Sequence, residues 1–225
     1  MIDDGVRAIL FDCYGTLIST GNGSITAVQK ILKVNQAVLD EREFYSLWKR
    51  QMREECMSRT FRSEAECFAA SLEKLYIRYN FDRDARTDVQ YMLDTLGNRH
   101  RFEEAADVLN QLRERYMLVV ASNSDELPLR EDLKRSKLPI ERMFSSEQLR
   151  AYKPDRRFFE QVLTSIGLSP EEAVYVGDSQ TDDVLGAQGA ELRCVWINRL
   201  QESLVPGIPE PFRELSDLTG LLDFC

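Results

Sequence analysis

The stretch VRAILFDCYGTL, Val6 to Leu17, decides the fold. An apolar run with only Arg7 out of character ends at Asp12, and a glycine-containing turn, Gly15-Thr16, follows at once. Residues 6–11 read as a strand buried on both faces of a parallel sheet. A strand that delivers one carboxylate into an exposed turn is a rigid mount for an acidic nucleophile, and the turn's backbone N–H groups can face an anion. Cys13 follows directly, but side chains alternate along a strand, so it points away from where Asp12 points.

Outward from this stretch the pattern changes twice. Residues 18–24 are small and polar, with Gly21 and Gly23, and read as a linker or hinge. From Ser24 to about Leu96 helical periodicity dominates. Ile25, Val28, Ile31, Leu32 and Val34 share one helix face; Phe44, Leu47, Trp48, Gln51 and Met52 a second; Ala65, Phe68, Ala69, Leu72, Leu75 and Tyr76 a third; Val89, Met92, Leu93 and Leu96 a fourth, begun near Thr87. From Phe102 onward helices alternate with the strands MLVVAS, a short one near Met143-Phe144, AVYVGDS and LRCVWIN, and the tail reads as a Pro-rich loop and a last helix. Strands spaced by helices mean a parallel, doubly wound sheet with right-handed crossovers. The expected architecture is therefore α/β: a core of residues 1–18 and 98–225 split by a helical insertion at 19–97.

Composition narrows the function. The chain has 225 residues, 43% hydrophobic and 30% charged, as in a soluble globular protein rather than a disordered one. A net charge of −9 with no basic stripe does not favour nucleic acid. No apolar run reaches the roughly 20 residues of a membrane span. The acidic start, MIDDGVRA, lacks a hydrophobic signal region, so the expected location is the cytoplasm. The five cysteines are scattered, which argues against a disulfide framework or zinc ribbon. The single histidine, His100, lies in the polar stretch GNRHRFEE, reads as a solvated linker residue, and excludes sites that need two histidines.

Ligands of open α/β sheets collect at the carboxyl ends of the strands. Those ends carry Asp12, Ser122-Asn123 and Gly177-Asp178-Ser179, with Asp182 and Asp183 just beyond, and Lys153 lies in the loop AYKPD. Carboxylates gathered at one edge repel one another unless a cation sits among them. Without histidine or a cysteine cluster, that cation is expected to be hard and oxygen-loving, namely Mg²⁺.

Four segments in this order, FDCYGTL at 11–17, ASNS at 121–124, YKPD at 152–155 and VGDSQTDDVLGA at 176–187, resemble the motifs of the haloacid dehalogenase superfamily of aspartate-nucleophile hydrolases. The inserted helices are similar to that family's four-helix cap, which would close over the site by flexing near Ser19–Gly23 and near Gly97. The resemblance implies that Asp12 is the nucleophile, that Ser122 binds the oxygens of the transferred group, and that Lys153 screens nucleophile and substrate. It implies that Mg²⁺ is held by Asp12, Asp178 and the backbone carbonyl of Tyr14. Asp183 fits the second acidic position, with Asp182 as competitor, and Thr16 and Asn123 complete the catalytic candidates.

The resemblance is a hybrid. Phosphatases of the family carry a second Asp, as general acid and base, where this chain has Tyr14, which at an unperturbed pKa near 10 is a poor base. The DxYGT form is similar to the dehalogenase branch. That branch, however, has Ser where Asp178 stands, Asn where Gln180 stands and Tyr where Phe159 stands, and its cap arginine follows a tryptophan, where Trp48 here precedes Lys49 and Arg50. Asp178 changes the electrostatics most, so the reading favours a Mg²⁺-dependent phosphatase acting on a small phosphorylated metabolite through an aspartyl phosphate. A metal-independent 2-haloacid dehalogenase is the first rival, and a non-catalytic protein binding a phospholigand or partner the second. Phosphonate cleavage, with Lys30, Lys33, Lys49 or Lys74 as Schiff base, stays open.

Overall fold

A computed structural model describes residues 5–97 and 99–223. The chain divides into two compact units, one running to Ser19 and resuming at His100, the other Thr20–Arg99.

The first unit is built on a six-stranded parallel sheet with strands β1 (Ala8–Phe11), β4 (Met117–Ser122), β5 (Arg142–Ser145), β6 (Ala173–Gly177), β7 (Arg193–Ile197) and β8 (Arg213–Leu215). Two-residue strands β2 (Ile18–Ser19) and β3 (His100–Arg101) pair antiparallel beside it. The order β5-β4-β1-β6-β7-β8 puts β1 in the middle, where the winding reverses and a crevice opens at the strand ends.

Alternation along β1 sorts its side chains between two layers. Ile9, Phe11 and Cys13 face helices α6 (Ala105–Leu112) and α7 (Glu126–Ser136), through Val108, Leu109, Leu129 and Leu133. Ala8 and Leu10 face α9 (Arg156–Ile166), through Phe158, Phe159, Val162 and Leu163. The chain is thus doubly wound, as expected. A short α8 (Ser146–Leu149) precedes α9, and the segment after β6 is a π-helical turn, Gln180–Leu185, that runs into α10 (Gly186–Gly189).

The second unit consists of α1 (Gly23–Val34), α2 (Glu41–Cys56), α3 (Glu64–Tyr79) and two short helices, α4 (Ala85–Asp88) and α5 (Gln90–Leu93). Asp40 caps α2, and Ser63 with Glu66 forms a capping box on α3. The apolar stripes meet around Trp48, Ile31, Leu72 and Met92. The Trp48 indole N–H is satisfied by the Phe68 carbonyl at 3.1 Å and the Ser71 hydroxyl at 2.9 Å.

Several sequence expectations need correction. The fourth helix is broken at Val89 and starts earlier than Thr87, because Asp84 caps it by accepting from Arg86 N–H and the Thr87 hydroxyl. The tail does run through a Pro-rich loop, but β8 follows it and the last turn, Leu218–Asp223, is 3₁₀ rather than α-helical: Phe212 N–H binds the Cys194 carbonyl and starts an edge strand of three residues. His100 is exposed but sits in β3, paired with Ser19. Among the described residues no helix is long and apolar enough to cross a membrane.

Trp48 is fully buried, and its replacement by alanine is expected to cost about 3–5 kcal/mol, read as a lowered urea midpoint by circular dichroism.

Candidate active site

Asp12 leaves the end of β1, with its backbone N–H fixed on the Val176 carbonyl of β6 at 2.8 Å. Its carboxylate stands on the same face as Leu10, where Ser122 from β4 and Lys153 converge on it. The Ser122 hydroxyl donates to Asp12 Oδ1 at 3.1 Å and the Lys153 ammonium donates to the same oxygen at 2.6 Å. Cys13, on the opposite face, is buried in the apolar layer.

Lys153 is 2% exposed. Its backbone is clamped by Asn123, whose side-chain oxygen accepts from Lys153 N–H at 2.8 Å and whose amide donates to the Lys153 carbonyl at 3.1 Å. Asn123 thus places Lys153. The ammonium reaches two further acceptors, Asp183 Oδ1 at 2.7 Å and the Tyr175 hydroxyl at 2.8 Å. Burial opposes the lysine charge, but Asp12 and Asp183 outweigh it and hold the pKa well above the usual value.

The other two carboxylates come from the turn after β6. Ser179 N–H donates to Asp183 Oδ2 at 2.9 Å, and the Ser179 hydroxyl accepts from Asp182 N–H at 3.1 Å to start the π-helical turn. That turn sends Asp183, not Asp182, to Lys153. Asp12, Asp178 and Asp183 each offer an oxygen within 4.8 Å of the others. Thr16 is buried, and its hydroxyl makes a long contact to Asp178, 3.4 Å. Arg199, stacked on Phe102 and paired with Glu104, donates to the Thr16 carbonyl at 3.0 Å and pins this turn.

Two glycines make room for the acids. Gly15 has φ +97°, and a Cβ there would lie 2.2 Å from Asp178 Oδ2. A Cβ on Gly177 would lie 2.3 Å from the Asp183 carboxyl carbon. Both distances are far inside contact, so only glycine lets these carboxylates approach the backbone so closely.

Three carboxylates thus face one ammonium. Burial, then the charges of Asp12 and Asp183, push Asp178 up to about 8. Burial also raises Asp183, to about 6, although Lys153 works the other way. Such a site lacks positive charge, and its donors are the hard oxygens that a divalent cation takes.

Two positions marked in the sequence behave differently. Tyr14 packs on the α6–α7 layer and its hydroxyl donates to the fully buried Asp132 of α7 at 3.0 Å. Gln180 uses both ends of its amide on the loop before β8: its oxygen accepts from Val205 N–H at 2.7 Å and its nitrogen donates to the Ser203 carbonyl at 3.1 Å. Sequence reasoning missed Tyr175 and Asp132. For Tyr175 a signal existed, since it shares its sheet face with Leu10 and Ala121 and is the only hydroxyl in that apolar row.

The model of the haloacid dehalogenase-like hydrolases matches residues 6–191. The chain belongs to that family. It is 26% identical over 224 residues to (S)-2-haloacid dehalogenase 1 of Pseudomonas sp. (strain CBS-3), covering 97% of this chain and 96% of the relative. It is 27% identical over 205 residues to the pyrimidine 5'-nucleotidase PynA of Streptococcus pneumoniae, covering 85% and 84%. In fold it is similar to the L-2-haloacid dehalogenase RSc1362, with a TM-score of 0.81 at 20% identity over 98% of both chains.

Gly15→Ala is expected to leave a folded protein by circular dichroism and to cut turnover by at least about 100-fold, because it forces Asp178 out of place. The raised Asp178 pKa also sets a pH dependence. Folding favours the protonated acid, so in chelator-containing buffer stability falls as pH rises from about 4 through about 8. Asp178→Asn removes that loss. Its melting temperature should exceed that of the wild type at pH 8 by a few degrees, about 2–4 °C per kcal/mol, with the gap closing toward pH 4.

Proposed function

We propose that this hydrolase cleaves phosphate monoesters or acyl phosphates of small metabolites, with Asp12 as nucleophile and Mg²⁺ as resident cation. The observation that carries the reading is the set Asp12, Asp178 and Asp183, three acids within 4.8 Å that, among the described residues, have Lys153 alone paired with them. Asp12 and Asp178 would hold the cation, with the Tyr14 carbonyl as the further ligand. When bound, Mg²⁺ supplies positive charge against the three acids and the substrate's phosphoryl oxygens.

The chain's own residues do the rest. An Asp12 oxygen attacks phosphorus, the bond to the leaving oxygen breaks with its electron pair, and an aspartyl phosphate forms. Water then cleaves this acyl phosphate and restores Asp12. Ser122 and Lys153 orient the nucleophile and lower the charge that builds up at it. No carboxylic acid stands at position 14, and the Tyr14 proton is directed to Asp132. The leaving group therefore departs without a carboxylic acid at that position to protonate it, which favours acyl and aryl phosphates. In this reading the helical unit Thr20–Arg99 supplies the substrate-selecting cap.

The second reading is a metal-independent 2-haloacid dehalogenase. Tyr14 favours it, because carbon attack expels halide and needs no acid, and so does the similarity to (S)-2-haloacid dehalogenase 1 along 97% of the chain. Asp178 in place of serine weighs against it, as does Gln180, whose amide is engaged on the 203–205 loop.

Turnover of acetyl phosphate and 4-nitrophenyl phosphate should appear with MgCl₂, vanish with EDTA, and vanish in Asp12→Asn. An alkyl phosphate should react at least about tenfold more slowly. Chloride release from 2-chloropropionate in EDTA, without phosphatase activity, would overturn this proposal in favour of dehalogenation. Absence of both activities would leave a binding protein.

A further inference from the structure

An alkylammonium has three N–H bonds. At Lys153 the acceptors are also three: Asp12 Oδ1 at 2.6 Å, Asp183 Oδ1 at 2.7 Å and the Tyr175 hydroxyl at 2.8 Å. Two of these are charged and would turn the ammonium toward themselves in unequal ways if the third position were empty. The third is neutral and is held in direction. The Tyr175 hydroxyl donates its own proton to the Ala121 carbonyl at 2.8 Å, so toward Lys153 it acts only as acceptor. Its ring is fixed edge-on against Phe159, centroids 5.2 Å apart, in a fully buried layer. Ala121 is followed directly by Ser122, the other donor to Asp12 Oδ1. The chain Ala121 carbonyl, Tyr175, Lys153, Asp12, Ser122 therefore closes on itself through adjacent residues of β4.

The geometry points to Tyr175 as a positioning residue for the reaction of Asp12: its hydroxyl fixes the roll of the Lys153 ammonium, so that one N–H stays on Asp12 Oδ1 and another on Asp183. A carboxylate in its place would add a fourth negative charge to the site. A phenylalanine would leave that N–H without its acceptor and lose the hydrogen bond to the Ala121 carbonyl in a buried layer. Tyr175 touches no reacting atom and acts only through Lys153. This inference rests on the reading of Asp12 as nucleophile.

The test is Tyr175→Phe, which keeps the ring and its contact with Phe159. With 4-nitrophenyl phosphate, kcat should fall about 10- to 100-fold while KM stays within about threefold, as for loss of a hydrogen bond to a charged group. Independently of turnover, the ¹⁵N NMR signal of the wild-type Lys153 ammonium should exchange slowly with water in the cold. In the variant its exchange should accelerate at least about tenfold. A purely structural role predicts a lower melting temperature with kcat per folded molecule and the ammonium signal unchanged, and that result overturns the proposal. If Tyr175→Phe fails to fold, site-specific 3-fluorotyrosine at position 175 takes its place, and a graded fall in kcat is expected. If neither phosphate nor haloacid is turned over, the nucleophile reading fails, and the ammonium exchange alone decides whether Tyr175 holds Lys153.

Discussion

The contact between the Lys153 ammonium and Asp12 organises everything around it. A lysine buried to this degree is strongly disfavoured unless carboxylates surround it, and carboxylates so close together are disfavoured unless a cation joins them. Each therefore makes the other possible. The sheet supplies Asp12 and Ser122 from neighbouring strand ends, and the turn after β6 supplies Asp183. Asn123 fixes the lysine backbone, so the cation is placed from both ends of its chain.

Around that contact the site is built by removal as much as by addition. Gly15 and Gly177 are places where a side chain would occupy the space of an acid. The acids that fill this space are held against their own repulsion, which raises the Asp178 pKa to about 8 by burial and by its two acidic neighbours. Stability is thereby sacrificed locally to hold these charges together.

Much of this was legible in the sequence, for a physical reason. The buried strands β1, β4 and β6 are apolar runs that end abruptly in a polar residue, so their ends and the polar groups there, Asp12, Ser122 and Asp178, were visible together. The helical unit was visible through its periodicity. Asp183 was preferred to Asp182 only through the family resemblance, because the residues themselves look alike and the π-helical turn begun by Ser179 decides which one faces inward. Tyr175 was hidden because a tyrosine in a buried strand reads as aromatic packing, and its hydroxyl has meaning only once Lys153 is seen beside it. Strands of two or three residues, such as β2, β3 and β8, are too short for any pattern to register.

The pairing of Ile18–Ser19 with His100–Arg101 has a consequence for how such a chain diversifies. The chain departs and comes back on two antiparallel neighbours, which a hairpin turn of about two to five residues would join just as well. The intervening module is therefore a cassette spliced into a tight bend, and cassettes of other lengths fit the same splice. The inserted part can change while the acids, the lysine and the strands beneath them stay as they are.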